Sequence, residues 1–216
     1  MSAPALEIIL IDLDLALAMA WKSACGNLPG VRVERGSIFD VECDAVVSPA
    51  NSFGFMDGGI DAQYTARFGE RVEQAVRRAI FERHGGELLV GEAEIVQTGD
   101  AAQPWLIAAP TMRVPSVLEQ TTVNPYLAVR AVLRLIRHGV FTEGPLAGQS
   151  VAGTVRRVAI PGMGTGVGRL PAEICARQMR TAIEEHALGP FAFPTSWAEA
   201  SERHQLLYTD KPVRLQ

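Results

Sequence analysis

The sequence predicts an α/β fold, and three observations point to it. Short apolar runs alternate with longer segments of helical period, the chain of 216 residues is long enough for one such domain with a substantial buried core, and a glycine-rich loop joins an apolar run to a helix start. Candidate strands are EIILI (7–11), VRVER (31–35), DAVVS (44–48), EAEIVQT (92–98), WLIAAP (105–110), VRRVAIP (155–161) and QLLY (205–208). Candidate helices lie near 14–25, 61–84, 124–138 and 171–186.

The N-terminal stretch is apolar, but it carries Glu7, Asp12 and Asp14 and lacks a basic leader region. It reads as a strand followed by a helix, not as a signal peptide or a membrane span. Val72, Ala75, Val76, Ala79 and Ile80 form one apolar stripe on a helix that stops at Gly85 and Gly86. Asn124 is a natural N-cap with Pro125 at the first helical position, and Arg130, Arg134 and Arg137 oppose Val132, Leu133 and Ile136 as a solvated face. The segment FTEGPLAGQSVAGT (141–154) reads as a surface loop or insertion. Pro171 opens a helix on which Cys175, Met179 and Ala182 make a stripe, so Cys175 is expected to pack in the core. Neither a repeat nor a linker divides the chain, which is expected to form a single domain over 1–216.

Composition narrows the chemistry. A net charge of -4 argues against a dedicated nucleic-acid surface or an anionic-membrane surface. Lys22 and Lys211 are the only lysines, which makes lysine-based catalysis improbable. Cys25, Cys43 and Cys175 have neither disulfide parity nor zinc-ligand spacing, so a reducing cytoplasm and no metal or other cofactor are expected.

Two glycine clusters carry the functional signal. In VAIPGMGTGVGRLP, Gly162, Gly164, Gly166 and Gly168 alternate between an apolar strand and the helix opened by Pro171. Free backbone amides and a helix N-terminus at such a loop form a phosphate cradle, the alternative being a flexible connector. A Walker A loop would need Gly-Lys-Ser/Thr where Gly168, Arg169 and Leu170 stand, and the Rossmann spacing G-x-G-x-x-G is not met either. In DAVVSPANSFGFMDGGID, a buried strand runs into adjacent glycines and an aspartate.

Together the two clusters resemble the macro domain, an ADP-ribose-binding module, over roughly 30–187. The resemblance implies a three-layer α/β/α fold with a central mixed sheet and a site lined by Ser37, Ile38, Ala50, Asn51, Gly58, Gly59 and Ile60. The late loop would add Met163, Thr165 and Val167 to its four glycines. It further implies that Asn51 meets the distal ribose and that Asp61 orients a water toward the anomeric carbon, making these the candidate catalytic residues. For Asp61 the alternative is an N-cap of a helix starting at Ala62, and for Asn51 it is a turn-forming asparagine. The expected partner is ADP-ribose or an ADP-ribosylated substrate within NAD metabolism, bound either by a hydrolase or by a non-catalytic reader or interaction module.

Three departures from the family pattern stand out. Ser37 replaces the aspartate that many members turn to adenine, leaving Asp40 or Asp12 for that contact, and Gly168 stands where many carry an aromatic. No glutamate pair follows Gly59. Arg113, after WLIAAPTM, is either a phosphate clamp or half of a surface salt bridge.

Overall fold

The computed structural model describes residues 6–213. The first six strand candidates all pair in one sheet: β1 (Glu7–Asp12), β2 (Val31–Arg35), β3 (Ala45–Ser48), β4 (Glu94–Gln97), β5 (Trp105–Ala108) and β6 (Arg157–Ile160). Their spatial order is β2-β1-β6-β3-β5-β4. All pairings are parallel except that of β4 with β5, so the sheet is mixed, with its antiparallel strand at one edge.

Successive side chains of a strand point to opposite faces. Ile8, Leu10 and Val47 therefore enter one core, and Ile9, Ile11 and Val46 enter the other. Two buried faces explain why the strands read as unbroken apolar runs. The first face is covered by α1 (Leu15–Cys25), α4 (Asn124–His138) and α6 (Ala172–Ile183), which contribute Trp21, Val132 and Met179. On the second face lie α2 (Gly59–Phe68) and α3 (Glu70–Arg83), which contribute Tyr64, Val76 and Ile80. The result is the three-layer α/β/α architecture.

Helix ends follow their local chemistry. Asp14 caps α1, its carboxylate accepting from the amides of Ala16 at 2.7 Å and Leu17 at 3.3 Å. The single helix expected over 61–84 is two, because Gly69 takes φ 84°, a left-handed conformation that suits glycine and ends α2. Asn124 does not cap α4 with its side chain. Its amide donates to the Thr111 carbonyl at 2.8 Å and ties the start of α4 to the loop after β5.

Two further expectations are corrected. QLLY is not a strand: it falls on the end of α7 (Trp197–Leu206) and the following turn. The cap of α7 is Ser196, whose hydroxyl accepts from the Glu199 amide, and that Ser-x-x-Glu signal outweighs four apolar-leaning residues downstream. The segment 141–154 is not wholly surface, since Phe141 packs on Trp105 at 4.4 Å and Val151 of the short helix α5 (Val151–Thr154) is buried. Beyond α6 the chain continues into a π turn, Glu184–Leu188.

Cys25 and Cys175 are buried in the first core and Cys43 in the second, all as free thiols. Burial pushes their pKa values up to about 12, about 12 and about 11 respectively. No helix among the described residues is long and apolar enough to cross a membrane.

Candidate functional site

The loops after β1, β2, β3, β5 and β6 border a cleft of about 570 Å³ at the carboxyl edge of the sheet, where open α/β folds bind ligands. Two walls face each other across it.

The first wall is the segment from Pro49 to Asp61. Asn51 holds it in shape: Oδ1 accepts from the amides of Phe53 (3.1 Å) and Phe55 (3.3 Å), and Nδ2 donates to the Phe55 carbonyl at 2.8 Å. The residue expected to grip a ribose thus spends its acceptor on its own loop and keeps one N–H to offer. Ala50, Gly58, Gly59 and Ile60 line the cleft. Gly58 is the N-cap of α2 and supplies no side-chain cap, so the amides of the first helical turn open toward the cleft.

Asp61 is not a cap. The helix starts at Gly59, and the Asp61 side chain turns back to β3, where it accepts a hydrogen bond of 2.6 Å from the Ser48 hydroxyl. It lines the cleft yet is only 7% exposed. Burial raises its pKa to about 6; the Ser48 bond opposes the rise, while the charges of Asp57 and Glu73 add to it. Under this carboxyl, the Tyr64 hydroxyl donates to the Val47 carbonyl at 2.9 Å and fixes α2 on the sheet.

The second wall is the loop from Pro161 to Gly168, and its glycines answer to different needs. A Cβ on Gly162 would stand 2.2 Å from Thr165 Oγ1 and 2.7 Å from Leu17 Cδ2. On Gly168 it would stand 2.4 Å from the Gly164 carbonyl oxygen. Gly164 takes φ 77° with Leu118 Cδ1 2.9 Å from its would-be Cβ. These three are required by the chain's own packing, whereas Gly166 has nothing within 4 Å. Among the described residues, the Gly162 amide donates to Asp12 Oδ2 at 3.1 Å, while those of Gly164 to Gly168 donate to no protein group. Thr165 and Val167 line the cleft with the four glycines. Met163 does not: its side chain is buried in the first core and its carbonyl accepts from the Cys175 thiol.

Ser37 and Ile38 line a third side, with the Ser37 hydroxyl accepting from the Phe39 amide at 3.3 Å. Of the two carboxylates considered beside them, Asp12 reaches the cleft and Asp40 does not. Both oxygens of Asp12 are in use, Oδ1 accepting from the Asp14 amide and Oδ2 from Gly162. Arg113 lies outside the cleft as half of a surface ion pair, 2.6 Å from Glu87, with its guanidinium over the Phe53 ring.

Sequence reasoning missed Ser48, whose signal was a lone hydroxyl at the end of an otherwise apolar strand, and Gln63, which lines the cleft as Thr111 does. Among the described residues no cluster of His, Cys, Asp and Glu is placed to hold a metal ion.

Against this geometry, a family model described as Macro domain matches residues 47–179. The chain is 35% identical over 156 residues to an uncharacterized protein of Aquifex aeolicus, covering 72% of this chain and 81% of that one. An Oceanobacillus iheyensis macrodomain solved with ADP is similar in fold, with a TM-score of 0.56 at 17% identity over 80% of this chain and 84% of that one. Thermosipho africanus DarTG in complex with ADP-ribose gives a TM-score of 0.54 at 15% identity, over 79% of this chain and 48% of that one.

Proposed function

The chain belongs to the macro domain family, and from that premise we propose that its cleft binds ADP-ribose, or a related NAD-derived nucleotide, and hydrolyses an ADP-ribosyl linkage. What carries the reading is the pairing of unused amides on one wall with a buried carboxyl on the other. Gly166 has no internal reason to be glycine, and the amides around it match the acceptors of a diphosphate. Asp61 stands at the opposite wall with a pKa near neutrality, the condition for a general base at physiological pH.

In this mechanism Asp61, ionised and held by Ser48, takes a proton from a water as that water's oxygen bonds to the anomeric carbon of the distal ribose. The bond from that carbon to the acceptor group breaks, and the acceptor leaves with the bonding pair and is protonated from solvent. The late-loop amides hold the diphosphate, and the spare N–H of Asn51 is available to a ribose hydroxyl.

Calorimetric titration with ADP-ribose, beside NAD and AMP, tests the first half: no ADP-ribose binding at millimolar concentration removes the proposal. Single-turnover release of ADP-ribose from ester-linked and glycosidically linked substrates tests the second. Tight binding with no release from any linkage leaves a reader in place of a hydrolase.

A further inference from the structure

A second concave site, of about 280 Å³, lies away from the cleft between the C-terminal half of α4, the π turn and Phe191. Arg130, Arg134 and Arg137 recur on successive turns of α4 and line it together with His138. Arg134 and Arg137 are exposed and Arg130 is half-buried, and none of the three forms an ion pair among the described residues. All three line the pocket that holds a buried ring.

That ring is His186, whose side chain is 7% exposed and whose Nε2 has no hydrogen-bond partner. The neighbouring acceptor, Glu185 Oε2, is 3.8 Å away and already accepts from the Tyr126 hydroxyl at 2.6 Å. An unpaired buried imidazole nitrogen is a costly feature. Phe191 stacks on the ring at 5.5 Å and 13°, and is itself 45% exposed.

We propose that Arg130, Arg134, Arg137 and His186 form a binding site for a phosphate group, either as inorganic phosphate or carried by a small aromatic metabolite that packs on Phe191. Guanidinium forks suit the oxygens of phosphate, and three arginines line a pocket whose single carboxylate, Glu185, is already engaged. Burial, and then the charges of the three arginines, hold the His186 pKa down to about 4, so the ring is neutral near neutral pH. A bound dianion cancels that repulsion and lets the ring take a proton, giving Nε2 a charge-assisted contact with Glu185. The titratable and charged groups near His186 are these arginines and His138 from α4, Glu185 from its own turn, and Tyr126, near which Arg203 of α7 also stands.

The test follows the His186 ring resonances by NMR as the full chain is titrated with inorganic phosphate, and separately with AMP, at ionic strength fixed with sodium chloride. The expected result is a saturable shift, with the His186 titration midpoint rising by about one unit or more from its value near 4 in the filled site. It should survive Gly166→Glu, which obstructs the cleft, and weaken about tenfold or more in the R134Q/R137Q double variant, the scale of a lost charge-assisted contact. AMP binding tighter than phosphate assigns the aromatic metabolite, and equal affinity assigns inorganic phosphate. Equal responses in wild type and R134Q/R137Q, or a drift that follows ionic strength alone, overturn the proposal. Should the double variant melt early, Arg137→Gln alone carries the same comparison. The outcome does not depend on what the cleft binds.

Discussion

The two walls of the cleft are built by opposite means. The wall after β3 is held by side chains: Asn51 bonds its own loop three times, Thr65 donates to the Met56 carbonyl, and Ser48 fixes Asp61. The wall after β6 is held by the lack of them, with Gly162, Gly164 and Gly168 packed where no Cβ fits. A wall fixed by side chains can aim a reacting group, while a wall fixed by glycines offers mainly amides. The proposed function therefore assigns chemistry to the first and anion binding to the second.

The harshest test of that division is Asp61→Asn. It should slow ADP-ribose release by about 10² or more while affinity stays within a few-fold. In wild type the rate should climb as Asp61 ionises through about pH 6 and level off above it. Stability moves the other way. The folded pKa lies above the ordinary 3.8, so the protonated form is favoured on folding, and the stabilisation present below that value is lost as pH rises through about 6. The loss is on the order of 3 kcal/mol at neutral pH. Asp61→Asn should accordingly melt higher than wild type near about pH 7.5 and no higher near about pH 4. Identical melting curves at both would show that burial does not set this carboxyl.

Asn51→Ala comes next. Removing the amide that closes the loop should lower stability by roughly 1–3 kcal/mol and weaken ADP-ribose by a similar amount. A lowered melting temperature with unchanged affinity would make Asn51 a turn residue alone, sharpening the contrast between holding the wall and touching the ligand.

The smallest effect comes from a matched pair of glycine changes. Gly168→Ala should cost about 1–3 kcal/mol of stability by overpacking. Gly166→Ala should stay within about 0.5 kcal/mol and still reduce ADP-ribose affinity. If both destabilise alike, the late loop has no glycine reserved for a ligand.

Much of this was legible in the sequence because its signals were local. Six strand positions followed from apolar runs, and both glycine clusters line the cleft. What was hidden depended on partners distant in the chain. Ser48 and Asp61 meet only once α2 folds onto β3, and Asn124 is drawn from its capping role by Thr111. Met163 looks like its loop neighbours in sequence, but the alternation of direction along the loop sends it into the core. The division of the late glycines into three packed and one open rests on Leu17 and Leu118, which no spacing rule connects to them.

The three buried thiols make the chain its own reporter of opening. With pKa values of about 11 to 12, roughly one in ten thousand or fewer is a thiolate at neutral pH, and none is accessible. An alkylating reagent therefore reacts only with molecules that have transiently opened, and mass spectrometry can count those openings without any introduced label. The layers are distinguishable too: Cys43 reports the side of the sheet that carries Asp61, whereas Cys25 and Cys175 report the side packed by α1 and α6. A ligand seated in the cleft should protect the first thiol from local openings that leave the other two untouched.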